Sequence, residues 1–176
     1  ASLLKAILIN TSDELLGEGP EFSVGYGKVN TMKAAGEAGA DRHDIGTAYT
    51  GSEDKYTFDV PAGQAKAVFT LAWTDPSASP LSTRQLINDL DLVVVGPTGK
   101  FLPWVLNPDP DHVFEEAVRG VDSLNNLEQV SILNLTGGKY EIIVRGKRVA
   151  NSQEYAVCYR HEARKMELYG PFGGEK

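Results

Sequence analysis

The 176-residue sequence has one cysteine, Cys158, so no internal disulfide can hold it together. Cys158 sits in an alternating strand pattern, which reads as a buried structural thiol rather than a reactive one. Nowhere does an apolar run approach the roughly 18 residues that cross a bilayer as a helix, so no membrane partner is expected. Basic residues are outnumbered, 17 to 24, giving a net charge of -7. That balance argues against nucleic acid, whose phosphates need a basic surface. It suits an extracellular protein and leaves carboxylates to spare for a divalent cation. The chain also lacks a nucleophile elbow, a phosphate loop and a zinc-type His/Cys cluster. It has no secretory leader and starts inside an apolar helical pattern, which reads as a cut through a longer protein.

What is present is ordinary globular material: 41% hydrophobic and 23% charged residues. Leu3, Leu4, Ile7, Leu8 and Leu15 form a helical apolar stripe that frays at Asn10–Asp13. Glycines 17, 19, 25 and 27 make the next stretch a loop. Residues 28–39 read as a second short helix. Two such helices cannot make a core alone, so their apolar face needs a partner, either the following domain or something missing. From about Ile45 the texture changes. Residues 55–60, 65–73, 89–95, 128–135, 139–146 and 154–160 read as strands, rich in Val, Ile, Tyr and Phe and separated by Gly, Pro and Asn. The expectation is a mainly β protein: an antiparallel β-sandwich or jelly roll preceded by two short α-helices. The divisions expected are 1–44 for the helices, 45–165 for the β-domain and 166–176 for a flexible tail. Residues 101–126 are too long for a hairpin turn, which marks them as functional or ordered by something bound.

The most informative stretch is LINDLDLVVVGPTG, residues 86–99. Asp89 and Asp91 are two apart on a strand and so share a face. They either meet something positive or lie on the wet side, since burial of uncompensated carboxylates is costly. Pairing with Arg84 or Arg119, or with turn amides, is the plain alternative. NPDPDH (107–112) reads as a stiff exposed turn. Trp73 reads as core. Trp104 reads as a cover on one end of the sandwich, with an exposed sugar- or peptide-binding platform as the alternative. Asn10 and Asn134 stand in Asn-x-Ser/Thr sequons.

Two regions carry a family resemblance. LKAILINTSD (4–13) followed by VGYGKVNTMKAA (24–35) resembles the last two helices of the subtilisin-like serine protease catalytic domain. AWTDPSASP (72–80), residues 86–99, NNLEQVSI (125–132) and GGKYEIIVRG (137–146) look like the C-terminal jelly-roll domain of secreted subtilases, the alkaline proteases of the Kp-43 type. The resemblance implies an accessory domain that stabilises a secreted serine endopeptidase. It also implies bound calcium, with Asp75, Asn88, Asp89, Asp91, Asn126 and Glu128 as candidate ligands, all oxygen donors as Ca²⁺ requires. The departure is equally clear. The family's Gly-Thr-Ser-Met-Ala serine motif is absent, as are its Asp and His segments. His43, His112 and His161 fall in a linker, a long loop and a strand end, none with family context as a base. No catalytic residue is assigned, and the chain alone is expected to be inactive. Its expected partner is the missing catalytic domain or a second copy through the N-terminal helices. The alternative reading is a jelly-roll module that binds carbohydrate or a cell surface.

Overall fold

Residues 1–163 are described by a computed structural model. Residues 164–176, including the expected tail, lie outside them. Helices α1 (Ser2–Asn10) and α2 (Thr31–Ala38) precede ten strands. These are β1 (His43–Ala48), β2 (Glu53–Val60), β3 (Gln64–Trp73), β4 (Asp89–Gly96), β5 (Gly99–Phe101), β6 (Trp104–Val105), β7 (Val118–Arg119), β8 (Leu127–Leu133), β9 (Gly138–Arg148) and β10 (Gln153–Ala163). One sheet runs β1-β10-β3-β8, the other β2-β9-β4-β5, with every pairing antiparallel. Successive strands alternate between the sheets, apart from the β4–β5 hairpin and the small β6–β7 pair. The result is a jelly-roll sandwich, as the sequence suggests.

Period-two alternation builds the core. Phe69, Leu71 and Trp73 of β3 meet Val130 and Ile132 of β8 and Tyr155 and Val157 of β10. Across the gap lie Leu90, Leu92 and Val94 of β4 with Tyr140, Ile142 and Val144 of β9. Trp73 is core, and its indole N–H is satisfied by the carbonyl of Asn88 at 3.1 Å.

The opposite face of the first sheet is also covered. Its outward residues include the small side chains Ala72 of β3 and Ala156 and Cys158 of β10. That lets α1 lie close, with Leu3, Ala6, Ile7 and Asn10 at the i, i+3, i+4, i+7 spacing of one helix face. Asn10 is 2% exposed, and its side-chain amide donates to the carbonyls of Val68 and Cys158 and to Thr70 Oγ1. Arg160 Nε reaches the Asn10 carbonyl at 2.6 Å. Of the Leu3/Leu4/Ile7/Leu8 face expected to be exposed or buried by dimerising, Leu3, Ile7 and Leu8 are instead packed on the sandwich, so the following domain is the partner they meet. Leu4, Val29 and Met32 remain exposed. Cys158 is buried under α1, and burial pushes its thiol up to about 12, as a structural cysteine requires.

One further correction concerns an edge. His43 opens strand β1, paired with Cys158, rather than lying in a linker. The 101–126 loop contains the β6–β7 pair and a turn of 3-10 helix at Pro110–His112. Within NPDPDH, Asn107 and Asp109 accept the amides of Asp109 and Asp111, the stiff exposed turn expected.

Candidate cation site at the rim of the sandwich

The six candidate ligands separate into two groups. The first is saturated by the protein. Asp75 accepts the amides of Ile87 (2.7 Å) and Asn88 (2.8 Å), one on each carboxylate oxygen. Asn88 is buried; it donates to Gln153 Oε1 at 2.7 Å and accepts the Ala150 amide. Asn126 donates to the Trp73 carbonyl and accepts Lys5 Nζ at 2.7 Å. These side chains fasten the loops around residues 74–88 and 125–126 to the sheet ends.

The second group is not saturated. Strand β5 pairs only with Val94–Gly96, so the far edge of β4 from Asp89 to Val93 has no strand beside it. Glu128, on the inward face of β8 with Val130 and Ile132, fills that gap. It is 1% exposed, and its Oε2 accepts the Leu92 amide at 2.6 Å. Its Oε1 is buried with no hydrogen-bond partner among the described residues. The same holds for Asp89 Oδ1 and Asp91 Oδ1. Asp89 is buried and bonded through its other oxygen to Arg84 at 2.9 Å, the plain alternative read from the sequence. Asp91 has Lys147 at 4.0 Å, on the residue that β9 bulges out opposite the Asp89–Leu90 step, and Arg145 as its cross-strand partner.

Charge is unbalanced here. Burial pushes the Glu128 carboxyl well above its ordinary value of 4.5, and Asp91, Asp122 and Asp89 push it further. Burial also raises Asp91, against the pull of Lys147. Asp122 was not singled out from sequence. It accepts the amides of Leu124 and Asn125 in a side-chain-capped turn, and Asp followed by Ser and Asn was the available signal. Either Glu128 and Asp91 hold protons or a cation balances them. The unmet groups are carboxylate oxygens, the ligand chemistry of Ca²⁺, with the Arg84 guanidinium and Lys147 ammonium beside them. Among the described residues no three His, Cys, Asp or Glu side chains stand together at metal-binding spacing, so neither the six-residue set nor the trio Glu128, Asp91 and Asp89 is preassembled.

Trp104 is held on both sides. The Arg119 guanidinium lies 3.5 Å over its ring, and a Cβ added at Gly19 would come within 2.8 Å of it. Its indole N–H reaches Ser131 Oγ at 2.8 Å. It lines a groove of about 400 Å³ with Phe22, Tyr26 and Asp122, but neither ring face is free as a stacking platform. It packs between the α1–α2 loop and the outward face of β8, where Ser131 points, rather than over an end of the sandwich, which corrects the expected placement.

Comparison with known proteins bears on the whole chain rather than on this site. The chain is 31% identical over 172 residues to "Serine protease/ABC transporter B family protein tagA" of Dictyostelium discoideum. The match takes in 91% of this chain and 10% of that protein, so the chain spans about a tenth of the length of this relative. No protein-family model matches. Among solved structures, the CspB protease of Clostridium perfringens is 16% identical with a TM-score of 0.42, over 70% of this chain and 26% of that one. The propeptide form of Bacillus licheniformis lipase BlEst2 is 13% identical with a TM-score of 0.40, over 69% and 22%. At TM-scores below 0.5 these likenesses carry no weight below.

Proposed function

We propose that this chain is a non-catalytic accessory domain of a secreted serine endopeptidase of the subtilisin-like type. The observation that carries the reading is the alignment of nearly the whole chain with a segment of a protein named a serine protease. The two N-terminal segments add support, since they resemble the last helices of the subtilase catalytic domain in order and spacing. The catalytic part is the partner, meeting the outward side of α1 and α2 where Leu4, Val29 and Met32 stay exposed. The domain's contribution is stability: a docked jelly roll adds buried surface and closes off one end of its neighbour.

Calcium is the proposed cofactor, held at the unpaired edge of β4 by Glu128 with Asp91 and Asp89. Its role there is electrostatic, to neutralise carboxylates that the fold buries without donors. Asp75, Asn88 and Asn126 orient the loops around it.

The enzymatic half of the reading is tested with a fluorophosphonate probe, which labels activated serines. The chain alone is expected to stay unlabelled and to cleave no fluorogenic peptide. In the longer parent, deletion of residues 45–163 is expected to shorten the half-life at elevated temperature and leave kcat on small peptides little changed. Labelling of the isolated chain, or an unchanged half-life after deletion, would overturn the reading.

A further inference from the structure

We propose that Asn134 is the N-glycosylation acceptor of this domain and that Asn10, in the other sequon, is not. The inference rests on the secreted reading above, because only a chain that passes through a glycosylating lumen meets the reaction. The two sequons, Asn10-Thr11-Ser12 and Asn134-Leu135-Thr136, are equivalent as patterns. The fold makes them opposites.

Asn134 sits in the turn between β8 and β9, and both it and Thr136 are exposed. Its φ of 47° is the left-handed conformation that Asn accepts more readily than most residues. The turn is fixed from within. The Asn134 amide bonds to the Ala65 carbonyl at 3.0 Å, Leu135 is buried as an anchor, and Tyr140 donates to the Thr136 carbonyl at 2.8 Å. The backbone is thus spoken for, while the acceptor amide and the +2 hydroxyl face solvent. A bulky polar glycan there displaces nothing.

At Asn10 the same glycan is incompatible with the fold. Nδ2 is directed at three acceptors on β3 and β10, and the residue is sealed under α1. Attachment would replace one N–H and place a sugar where the sheet lies. The helix would have to leave, exposing Ala6, Ile7, Ala156 and Cys158.

The reaction forms a bond between Asn134 Nδ2 and the anomeric carbon of a lipid-pyrophosphate-linked oligosaccharide. The bond from that carbon to the pyrophosphate oxygen breaks, the lipid pyrophosphate leaves with the electron pair, and the amide loses one proton to base.

The test is to express the full 176-residue chain behind a cleavable secretory leader in a eukaryotic host. Intact mass and peptide maps are then read before and after peptide-N-glycosidase, in both lumenal and secreted fractions. The expected result is one enzyme-removable glycan, with Asn134 recovered as Asp. It persists in Asn10→Gln and is lost in both Asn134→Gln and Thr136→Ala, the second of which leaves the turn's Asn in place. An unmodified lumenal chain would overturn the assignment, as would a glycan on Asn10 in protein that resists proteolysis. The leader delivers the chain to the lumen whatever its own destination. Failure here therefore counts against Asn134 and leaves the accessory-domain reading to the serine-probe and half-life experiments.

Discussion

The loop network around Asn88 and the gap beside β4 lie at the same rim of the sandwich and are built from the same residue types. They differ in one respect. Around Asp75, Asn88, Asn126 and Asp122, each acid or amide meets donors and acceptors supplied by nearby loops. Beside β4, Glu128, Asp91 and Asp89 each keep a buried oxygen that no donor meets. Polar residues of the first kind hold a fold together. Those of the second kind cost stability unless they hold protons or gain a cation, which is the ground of the calcium proposal.

The sharpest way to break this contrast is at Asn88. Asn88→Ala strands Gln153 and the Ala150 amide, both at a buried junction, and should cost about 3 kcal/mol by the usual penalty for unmet buried groups. The loss should be the same with calcium or with chelator, as read from urea denaturation. Calcium itself comes next. At a hundredfold excess over its dissociation constant it should add about 2.7 kcal/mol, a rise in Tm of several degrees. Glu128→Gln should abolish that rise.

In chelator the same variant should act in the opposite direction. The folded Glu128 carboxyl titrates above its ordinary 4.5, so the fold favours its protonated form. The native state then binds more protons than the unfolded chain, and stability falls as pH rises from 4.5 through the raised value. Glu128→Gln removes that slope and should stabilise the cation-free protein at neutral pH by about 1 kcal/mol, with no gain below pH 4. The smallest effect is expected at Asp91, which is only half buried. Asp91→Asn should move cation-free stability by about 0.5 kcal/mol or less, yet weaken calcium binding several-fold in a titration.

The difference between the two groups also shows what a sequence reveals. The six central strands were legible because β-branched and aromatic residues recur with period two between Gly and Pro breaks. Strand β1 was not: HDIGTA has a glycine and two charged or titratable residues, and Gly46 is there because the Tyr155 and Tyr56 hydroxyls occupy the space of a Cβ. The docking of α1 was hidden too, since Ala72, Ala156 and Cys158 read as strand filler rather than as a seat for a helix. Of the site, the acidic residues themselves were visible in NDLDL and NNLEQ. Which of them the protein would satisfy was not, because the partners Gln153, Ala150 and Lys5 come from distant parts of the chain and meet only in the fold.

The measurement that bears most directly on the central claim is differential scanning calorimetry at neutral pH, with calcium and with chelator, on the wild type and Glu128→Gln. The carboxylate gap as a calcium site predicts a calcium-dependent Tm rise in the wild type only, and a variant that in chelator melts above the wild type. Equal melting of the wild type in calcium and chelator would contradict it and return Glu128 to the role of a protonated cap on the edge of β4.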